Sequence, residues 1–408
     1  MNKSSKSLSI VKNPPLPNNY SPEFLIIKRG EGVWLEDMAG KKYLDFTGGI
    51  AVNALGYGRD DIAEIAYRQM KMITHTSNLF TTEPVIELAE KMTKGTNFKA
   101  VHFSNSGSEA NETALKYARL YSLRTKGEGS YKFICFTNAF HGRTLGALSC
   151  TPKSKYQEPF KPLIPGMTVL KYNNIKELKK TADRTYAGII VEVVQGEGGL
   201  DSMSADFAYA LNDVCSKNNI LLIVDEVQTG LSRTGTFYAW EGVGLKPDIV
   251  TLAKPLAGGL PLSATLIPEK INSLIHIGEH GTTFGGGPVT TAVASRVWDI
   301  LSDKVFTKEV REKGNYFNKI LLELSASYDF LGAVKGKGLL VGVEFNGTGN
   351  GASLEDDIQR IIASARDSGL LILRSGTNVL RFAPPLIISK EELAVGVDIL
   401  KSVFKNIF

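Results

Sequence analysis

Two ionisable side chains stand at the ends of largely apolar segments that read as neighbouring buried strands. Asp225 follows residues 220–224, and Lys254 follows residues 249–253. Open α/β sheets bind ligands at the carboxyl ends of their strands, so both side chains are expected at the ligand edge. A buried carboxylate there needs a cation, such as a protonated pyridine nitrogen. A lysine in apolar surroundings loses its proton more readily and attacks a carbonyl as the neutral amine.

A third segment, residues 104–111, joins another apolar run to a helical stretch. Its sequence, Ser-Asn-Ser-Gly-Ser-Glu-Ala-Asn, is typical of an anion-binding turn. Ser106 and Glu109 have capping-box spacing, and Gly107 allows a ligand to approach the main chain. The free N–H groups at the start of a helix suit a phosphate group, so this segment is a candidate phosphate site.

Each of these features also has a purely structural explanation. Asp225 could cap a neighbouring helix, Lys254 could be a solvated strand end, and residues 104–111 could start an ordinary helix. Their combination is more specific, because a phosphate site, a partner for a pyridinium nitrogen and a carbonyl-reactive lysine are together what pyridoxal 5'-phosphate requires. The sequence therefore predicts this cofactor, with Lys254 as the residue that forms the Schiff base.

The elements that must position these residues follow an α/β pattern. Compact apolar segments alternate with helical stretches, which predicts a mainly parallel sheet buried between helices. These segments are residues 101–103, 133–136, 188–194, 220–224, 249–252 and 264–267. We expect residues 61–304 to form a large cofactor-binding domain and residues 305–408 a smaller α+β domain, to which the N-terminal segment 1–60 contributes. Residues 24–46 are predicted to form a hairpin-like element.

Composition argues against several other functions. The net charge of +5 comes from dispersed basic residues, which does not indicate nucleic-acid binding, and no apolar run approaches the roughly 18 residues of a membrane span. The five histidines lack a paired metal-ligand spacing, and neither a P-loop nor a Gly-x-Ser-x-Gly elbow is found. Three cysteines without metal-ligand spacing favour the cytoplasm, and the first 13 residues are interpreted as a short tail.

The chain resembles the class III (subgroup II) aminotransferases from about residue 20 to its C-terminus. The similarity lies in motifs that follow the family's order. They are Gly-Gly-Ile-Ala-Val-Asn-Ala-Leu-Gly at 48–56, His-Thr-Ser-Asn at 75–78, Phe-His-Gly-Arg-Thr at 140–144, Gln-Gly-Glu-Gly-Gly at 195–199, Asp-Glu-Val-Gln-Thr-Gly at 225–230, Thr-Phe-Gly-Gly at 283–286 and Arg-Phe-Ala-Pro at 381–384. The resemblance implies the pyridoxal-phosphate transferase fold of type I and a homodimer whose active sites lie at the subunit interface.

The same resemblance implies a role for each residue around the cofactor. Gly107 and Ser108 hold the phosphate, Phe140 stacks on the pyridine ring, Asp225 pairs with the ring nitrogen, Gln228 lies near the ring hydroxyl, and Thr283 reaches the phosphate bound by the partner subunit.

Two arginines are expected to bind the carboxylates of the substrates, because a planar guanidinium group pairs with a carboxylate through two hydrogen bonds. By the resemblance, Arg143 binds the substrate carboxylate with Thr282 nearby. Arg381 takes the second carboxylate of glutamate or 2-oxoglutarate, and Glu197 neutralises it when that carboxylate is absent. Structural explanations stay open for both arginines: a loop arginine at 143 and a salt-bridged strand arginine at 381.

The implied activity is transfer of a terminal amino group to 2-oxoglutarate. Ile50 stands where ornithine-specific members have a tyrosine, and an apolar residue there favours a donor with an acylated α-nitrogen. N2-acetyl-L-ornithine is therefore the expected donor, with ornithine, 4-aminobutyrate and succinyldiaminopimelate as alternatives. The Arg381 and Glu197 pair argues against an aminomutase, and retention of Lys254 and Asp225 argues against a pyridoxal-phosphate-binding protein without catalysis. Only ~20 residues precede the matched region, too few for the DNA-binding module of a regulator.

Overall fold

The computed structural model describes residues 17, 19, 25–349 and 353–408. The interpretation of residues 1–13 as a tail lies outside this part of the chain. Within it, no helix combines the length and the apolar character that crossing a membrane requires.

The described residues form fifteen strands in three sheets. In chain order these strands are β1 (Ile27–Glu31), β2 (Trp34–Asp37), β3 (Lys42–Asp45), β4 (Ala100–Ser104), β5 (Lys132–Phe136), β6 (Met167–Leu170), β7 (Tyr186–Val191), β8 (Leu221–Asp225), β9 (Ile249–Leu252), β10 (Ser263–Ile267), β11 (Leu331–Lys337), β12 (Leu340–Phe345), β13 (Leu370–Leu371), β14 (Leu373–Ser375) and β15 (Val379–Phe382).

The same part of the chain forms thirteen α-helical segments and three short 3-10 turns. The helices are α1 (Gly48–Ala51), α2 (Asp60–Met72), α3 (Glu83–Thr93), α4 (Gly107–Lys126), α5 (Leu145–Ser149), α6 (Ser154–Gln157), α7 (Ile175–Thr181), α8 (Ala205–Asn218), α9 (Glu269–Asn272), α10 (Pro288–Leu301), α11 (Lys304–Ala326), α12 (Leu354–Asp367) and α13 (Lys390–Ile407). The 3-10 turns span Glu158–Phe160, Ala239–Val243 and Lys254–Ala257.

The largest sheet has the strand order β4-β10-β9-β8-β7-β5-β6. β10 runs antiparallel to its neighbours β4 and β9, whereas β9, β8, β7, β5 and β6 pair in parallel. The predicted α/β fold with a mainly parallel sheet is therefore confirmed. β6 is not among the predicted strands, because this edge strand is partly exposed and lacks a continuous apolar run.

Alternation of apolar side chains along β8 explains how helices cover both faces of this sheet. Leu221 and Ile223 pack in one cluster with residues of α4 such as Tyr117, while Leu222 and Val224 pack in another with residues of α8 such as Phe207. Every residue of β7 and β8 is buried. Successive strand residues point to opposite faces, so a strand that is apolar throughout has to lie between two helical layers.

Both ends of the chain meet in a second sheet, β1-β2-β3-β13. β1 to β3 form the predicted hairpin-like element, whose first residue at position 24 lies outside the described residues. β13 joins β3 in parallel, with Leu370 opposite Leu44. The third sheet has the strand order β11-β12-β15-β14. The domain boundaries at residues 60 and 304 stay a prediction.

Candidate active site

A cavity of about 390 Å3 opens at the carboxyl ends of β7, β8 and β9. The register of the sheet explains why the two key side chains meet there: Asp225 ends β8 opposite Thr251 of β9, and Lys254 follows three residues later. Seven of the predicted site residues line this cavity: Gly107, Ser108, Phe140, Glu197, Asp225, Gln228 and Lys254.

Three donors hold the buried carboxylate of Asp225. Its Oδ2 atom accepts hydrogen bonds from Asn111 Nδ2 at 2.8 Å and from His141 Nδ1 at 2.7 Å, and its Oδ1 atom accepts from the main-chain N–H of Val227 at 3.0 Å. Burial alone would lower the pKa of His141, but the hydrogen bond to Asp225 and its charge outweigh burial, so the pKa is raised. The acid is therefore fixed in orientation at the floor of the cavity.

Lys254 occupies a conformation that is unusual for a residue with a side chain. Its φ angle is 31°, and the 3-10 turn that it begins follows directly after β9. Positive φ costs energy outside glycine, and such strain clusters at functional sites. Burial lowers the pKa of Lys254 to about 8, although the negative charge of Glu197 opposes this change. The side chain therefore loses its proton more readily than a lysine in solvent does.

The start of α4 forms the turn that was predicted as a phosphate site. Ser106 is the N-cap, and its hydroxyl accepts a hydrogen bond from the N–H of Glu109 at 3.3 Å. The predicted capping box is wrong in its second half: the carboxylate of Glu109 accepts from the N–H of Asn105 instead of that of Ser106. A Cβ atom at Gly107 would lie 2.7 Å from Val227 Cγ1, so the close approach of these loops requires glycine.

The polar atoms around the cavity fit pyridoxal 5'-phosphate. Gln228 Oε1 is buried and finds no hydrogen-bond partner among the described residues, which a ligand hydroxyl would supply. The N-terminus of α4 offers N–H groups to a phosphate, Asp225 offers a carboxylate to a pyridinium nitrogen, and Lys254 offers an amine to an aldehyde. Phe140 lies in the cavity wall.

Arg381 is a buried arginine of β15 with two acceptors. Its Nη1 atom donates to the main-chain oxygen of Gly196 at 2.8 Å and to Glu197 Oε1 at 2.5 Å. Burial opposes ionisation of Glu197, but the charge of Arg381 outweighs it and lowers the pKa of Glu197. A salt-bridged strand arginine and an arginine that binds substrate would both show this ion pair. What distinguishes the site is that Glu197 also lines the cavity.

Arg143 lies near the cavity, but its side chain is exposed. Its main-chain N–H donates to Ser108 Oγ at 3.2 Å. The guanidinium carbon stands 3.5 Å from the ring centroid of Tyr156 and 5.7 Å from that of Phe140. This stacking restricts a side chain that would otherwise be free in solvent.

Thr282 and Thr283 are not among the residues that line the cavity. Asn78 Nδ2 donates to the main-chain oxygens of Thr282 and Gly285, at 2.7 and 3.1 Å. Thr283 instead lines a shallow recess together with His75. The structure therefore brings seven predicted residues into one cavity, with Arg381 paired to one of them and Arg143 at its edge. Thr282 and Thr283 stay apart from it.

Three residues that contact predicted site residues had no predicted role: Glu192, Asn111 and His141. Glu192 follows β7 as Asp225 follows β8, so the same signal, a carboxylate after a buried strand, marks it. Its carboxylate accepts from the N–H of Phe140 at 3.1 Å, and burial raises its pKa to about 7. Asn111 and His141 stand in the motifs quoted above but had no assigned role, because only tertiary packing shows that both contact Asp225.

Comparison with known proteins agrees with the fold. A family model described as aminotransferase class-III matches residues 16–404. Acetylornithine aminotransferases from Aquifex aeolicus and Methanocaldococcus jannaschii are 43% and 40% identical; the alignments cover 95% and 94% of this chain and 99% and 94% of those proteins. Among solved structures, the ornithine aminotransferase from Toxoplasma gondii superposes with a TM-score of 0.90 at 30% identity, covering 96% of this chain and 93% of that one. The acetylornithine aminotransferase from Elizabethkingia anophelis gives 0.83 at 33%, covering 96% of each chain.

The sheet and the cavity at its carboxyl edge define a pyridoxal-phosphate-dependent transferase of fold type I. Within that class, the match over nearly the whole length identifies the family. The chain belongs to the class-III aminotransferases.

Asn111→Ala is expected to weaken binding of pyridoxal phosphate about tenfold, because a hydrogen bond to a buried charged group contributes about 1.5–3 kcal/mol. The substitution removes one of the three donors to Asp225. Titration of the apoenzyme with the cofactor, followed by absorbance, measures the effect. Asn212→Ala, on α8, is the control and should bind like wild type. Equal affinity of Asn111→Ala and wild type would show that Asn111 does not support the acid.

Proposed function

We propose that the protein transfers the terminal amino group of N2-acetyl-L-ornithine to 2-oxoglutarate. The products are N-acetyl-L-glutamate 5-semialdehyde and L-glutamate, and the reaction belongs to arginine biosynthesis. The observation that carries this proposal is the buried Arg381, which is paired with the cavity-lining Glu197. The acetylornithine aminotransferases named above, which are similar over nearly their whole length, support the choice of donor.

In this proposal, the side chains at the cavity floor divide the chemistry between them. Pyridoxal phosphate, when bound, supplies an electron sink for the breaking of a C–H bond. Asp225 keeps the ring nitrogen protonated. Lys254 holds the cofactor covalently and, once released as an amine, carries the proton between carbon atoms; its pKa of about 8 suits an acid–base group near neutral pH.

Two arginines give the site two places for carboxylates. Arg381 is buried beside the cavity, whereas Arg143 lies exposed at its edge. We propose that Arg143 binds the carboxylate farther from the reacting nitrogen and that Arg381 binds the second carboxylate of glutamate or 2-oxoglutarate. Glu197 neutralises Arg381 when a donor without that carboxylate is bound. Ile50 is 45% exposed and precedes the cavity-lining Val52 by two residues. We propose that its apolar side chain lies near the donor's α-nitrogen, where it would suit an acylated amine.

Ornithine is the second candidate donor, since the ornithine aminotransferase of Toxoplasma gondii has nearly the same fold. A side-by-side kinetic comparison of acetylornithine, ornithine, 4-aminobutyrate and succinyldiaminopimelate with 2-oxoglutarate tests the proposal. We expect kcat/KM for acetylornithine to exceed that for ornithine about tenfold or more, because a charged α-ammonium group would lose its hydration beside Ile50. A larger kcat/KM for ornithine would overturn the assigned donor, though not the aminotransferase class.

We also propose that the protein acts as a homodimer. Large apolar side chains are exposed close to the recess that contains Thr283: Leu79 is 85% exposed, Phe80 72% and Phe284 68%. Apolar groups clustered in this way mark interaction sites. A second copy covering them would explain why Thr283 lies outside its own cavity, since the loop would then reach the phosphate bound by the partner.

Phe80→Glu is expected to shift the protein towards monomers, because the new carboxylate would be buried in the proposed interface. Sedimentation velocity measures the change, and cofactor affinity should fall with it. Tyr209→Glu is the matched control, since Tyr209 is 75% exposed on α8 but does not line the recess around Thr283. A wild-type protein that sediments as a monomer with full activity would contradict the proposal.

We propose the cytoplasm as the location. The three cysteines are free and buried, which suits a reducing compartment. Some similar aminotransferases, including one from Alnus glutinosa, are named as mitochondrial. A nucleic-acid partner is not proposed, because the basic residues are dispersed along the sequence.

A further inference from the structure

Lys153 lies beside Glu197, although neither the motifs nor the proposed reaction gives it a role. It directly precedes α6 and its ammonium group donates to the main-chain oxygen of Glu197 at 2.6 Å. Burial lowers the pKa of Lys153, an effect that the negative charges of Glu197 and Glu192 oppose. Arg381 and Arg143 are the cations that face it. A lysine is therefore kept, at a desolvation cost, among the charged groups of the site.

The main chain of Glu197 is held by hydrogen bonds that do not involve its carboxylate. The main-chain oxygen of Glu197 accepts from both Lys153 Nζ and the N–H of Gly376, the latter at 3.2 Å. Arg381 also donates to the main-chain oxygen of Gly196, a hydrogen bond that does not involve the carboxylate of Glu197. The side chain of Glu197 is 25% exposed, so rotation about its own bonds is the movement that the surroundings permit.

Binding of 2-oxoglutarate creates an electrostatic problem at this point, and this step rests on the function proposed above. The incoming carboxylate takes the place of Glu197 on Arg381. The displaced carboxylate then lies in a partly desolvated cavity wall beside a new negative charge, which is costly unless a second cation receives it. Lys153 has three N–H donors, and the bond to the main-chain oxygen of Glu197 occupies one of them.

We propose that Lys153 is the second cationic partner of Glu197, which receives its carboxylate when a dicarboxylate substrate occupies Arg381. Glu197 then alternates between two cations instead of moving from a cation into solvent. Glu192 is the other acid near Lys153, and its carboxylate accepts a hydrogen bond from the N–H of Phe140. Lys153 acts through Glu197 and is therefore a positioning residue that lowers the cost of admitting the amino acceptor.

The test compares Lys153→Met with Lys153→Arg in the holoenzyme, with Lys155→Met as the control for loss of an exposed lysine from α6, the helix that Lys153 precedes. Affinity for glutarate, a dicarboxylate that cannot react, is measured by titration calorimetry. We expect Lys153→Met to bind glutarate about tenfold more weakly and Lys153→Arg to restore the affinity to within about threefold. Lys155→Met should match wild type.

Single-turnover kinetics separate the two half-reactions. Lys153→Met should lower kcat/KM for 2-oxoglutarate about tenfold and change the acetylornithine half-reaction less than about twofold, because a donor that leaves Arg381 paired does not displace Glu197. A general loss of structure would slow both half-reactions together. Equal losses in both, or no loss of glutarate affinity, would overturn the role of Lys153.

A double substitution decides whether Lys153 acts through Glu197. In a Glu197→Ala background, where no carboxylate is displaced, Lys153→Met should change glutarate affinity less than about twofold. A full tenfold loss in that background would show that Lys153 contacts the ligand directly and would overturn the inference. Arg381→Ala is the reference for the proposed function: if it leaves glutarate affinity intact, the role of Arg381 itself is wrong, whatever Lys153 does.

Discussion

The pairing of β8 with β9 sets an acid and an amine at one edge of a buried sheet. Asp225 stands opposite Thr251, and Lys254 follows after the end of β9. Neither charge would be stable there in isolation, because burial penalises both. Their surroundings act in different ways: Asp225 receives three hydrogen bonds, while burial lowers the pKa of Lys254 to about 8. The two side chains therefore tolerate burial for different reasons.

Further charged side chains surround Asp225 and Lys254. Glu197 meets Arg381, Lys153 meets the main chain of Glu197, and Glu192 is buried with a raised pKa. In the proposed reaction, acetylornithine carries one carboxylate and 2-oxoglutarate carries two, so the same cavity has to accept one carboxylate and then two. A wall in which one acidic side chain moves between cations meets this demand without a change of fold.

The sequence predicts those parts of the site that depend on strand ends and helix starts. Asp225, Lys254 and the turn at Gly107 were found in this way, because apolar runs mark buried strands and ligands bind where such strands end. Glu192 was missed for a related reason: the predicted strand at 188–194 included it, whereas β7 ends at Val191. The stacking of Arg143 on a tyrosine depends on tertiary contacts that no spacing indicates.

Edge strands, and residues at the proposed subunit interface, are also difficult to predict from the sequence. β6 is partly exposed and β13 has two residues, so neither has an apolar run that stands out in the sequence. The place of Thr283 outside its own cavity has no local signal, since its contacts in the proposed dimer come from another copy of the chain. The role of Thr283 comes from the resemblance to the family, and the periodicity of the sequence does not indicate it.

The central claim, a covalent link between the cofactor and one lysine at the end of β9, has a direct test. The holoenzyme is reduced with sodium borohydride, digested and mapped by mass spectrometry. The account predicts a phosphopyridoxyl group on the peptide that contains Lys254, with none after the reduction is repeated on Lys254→Ala. Modification of a different lysine in the wild-type holoenzyme would contradict it.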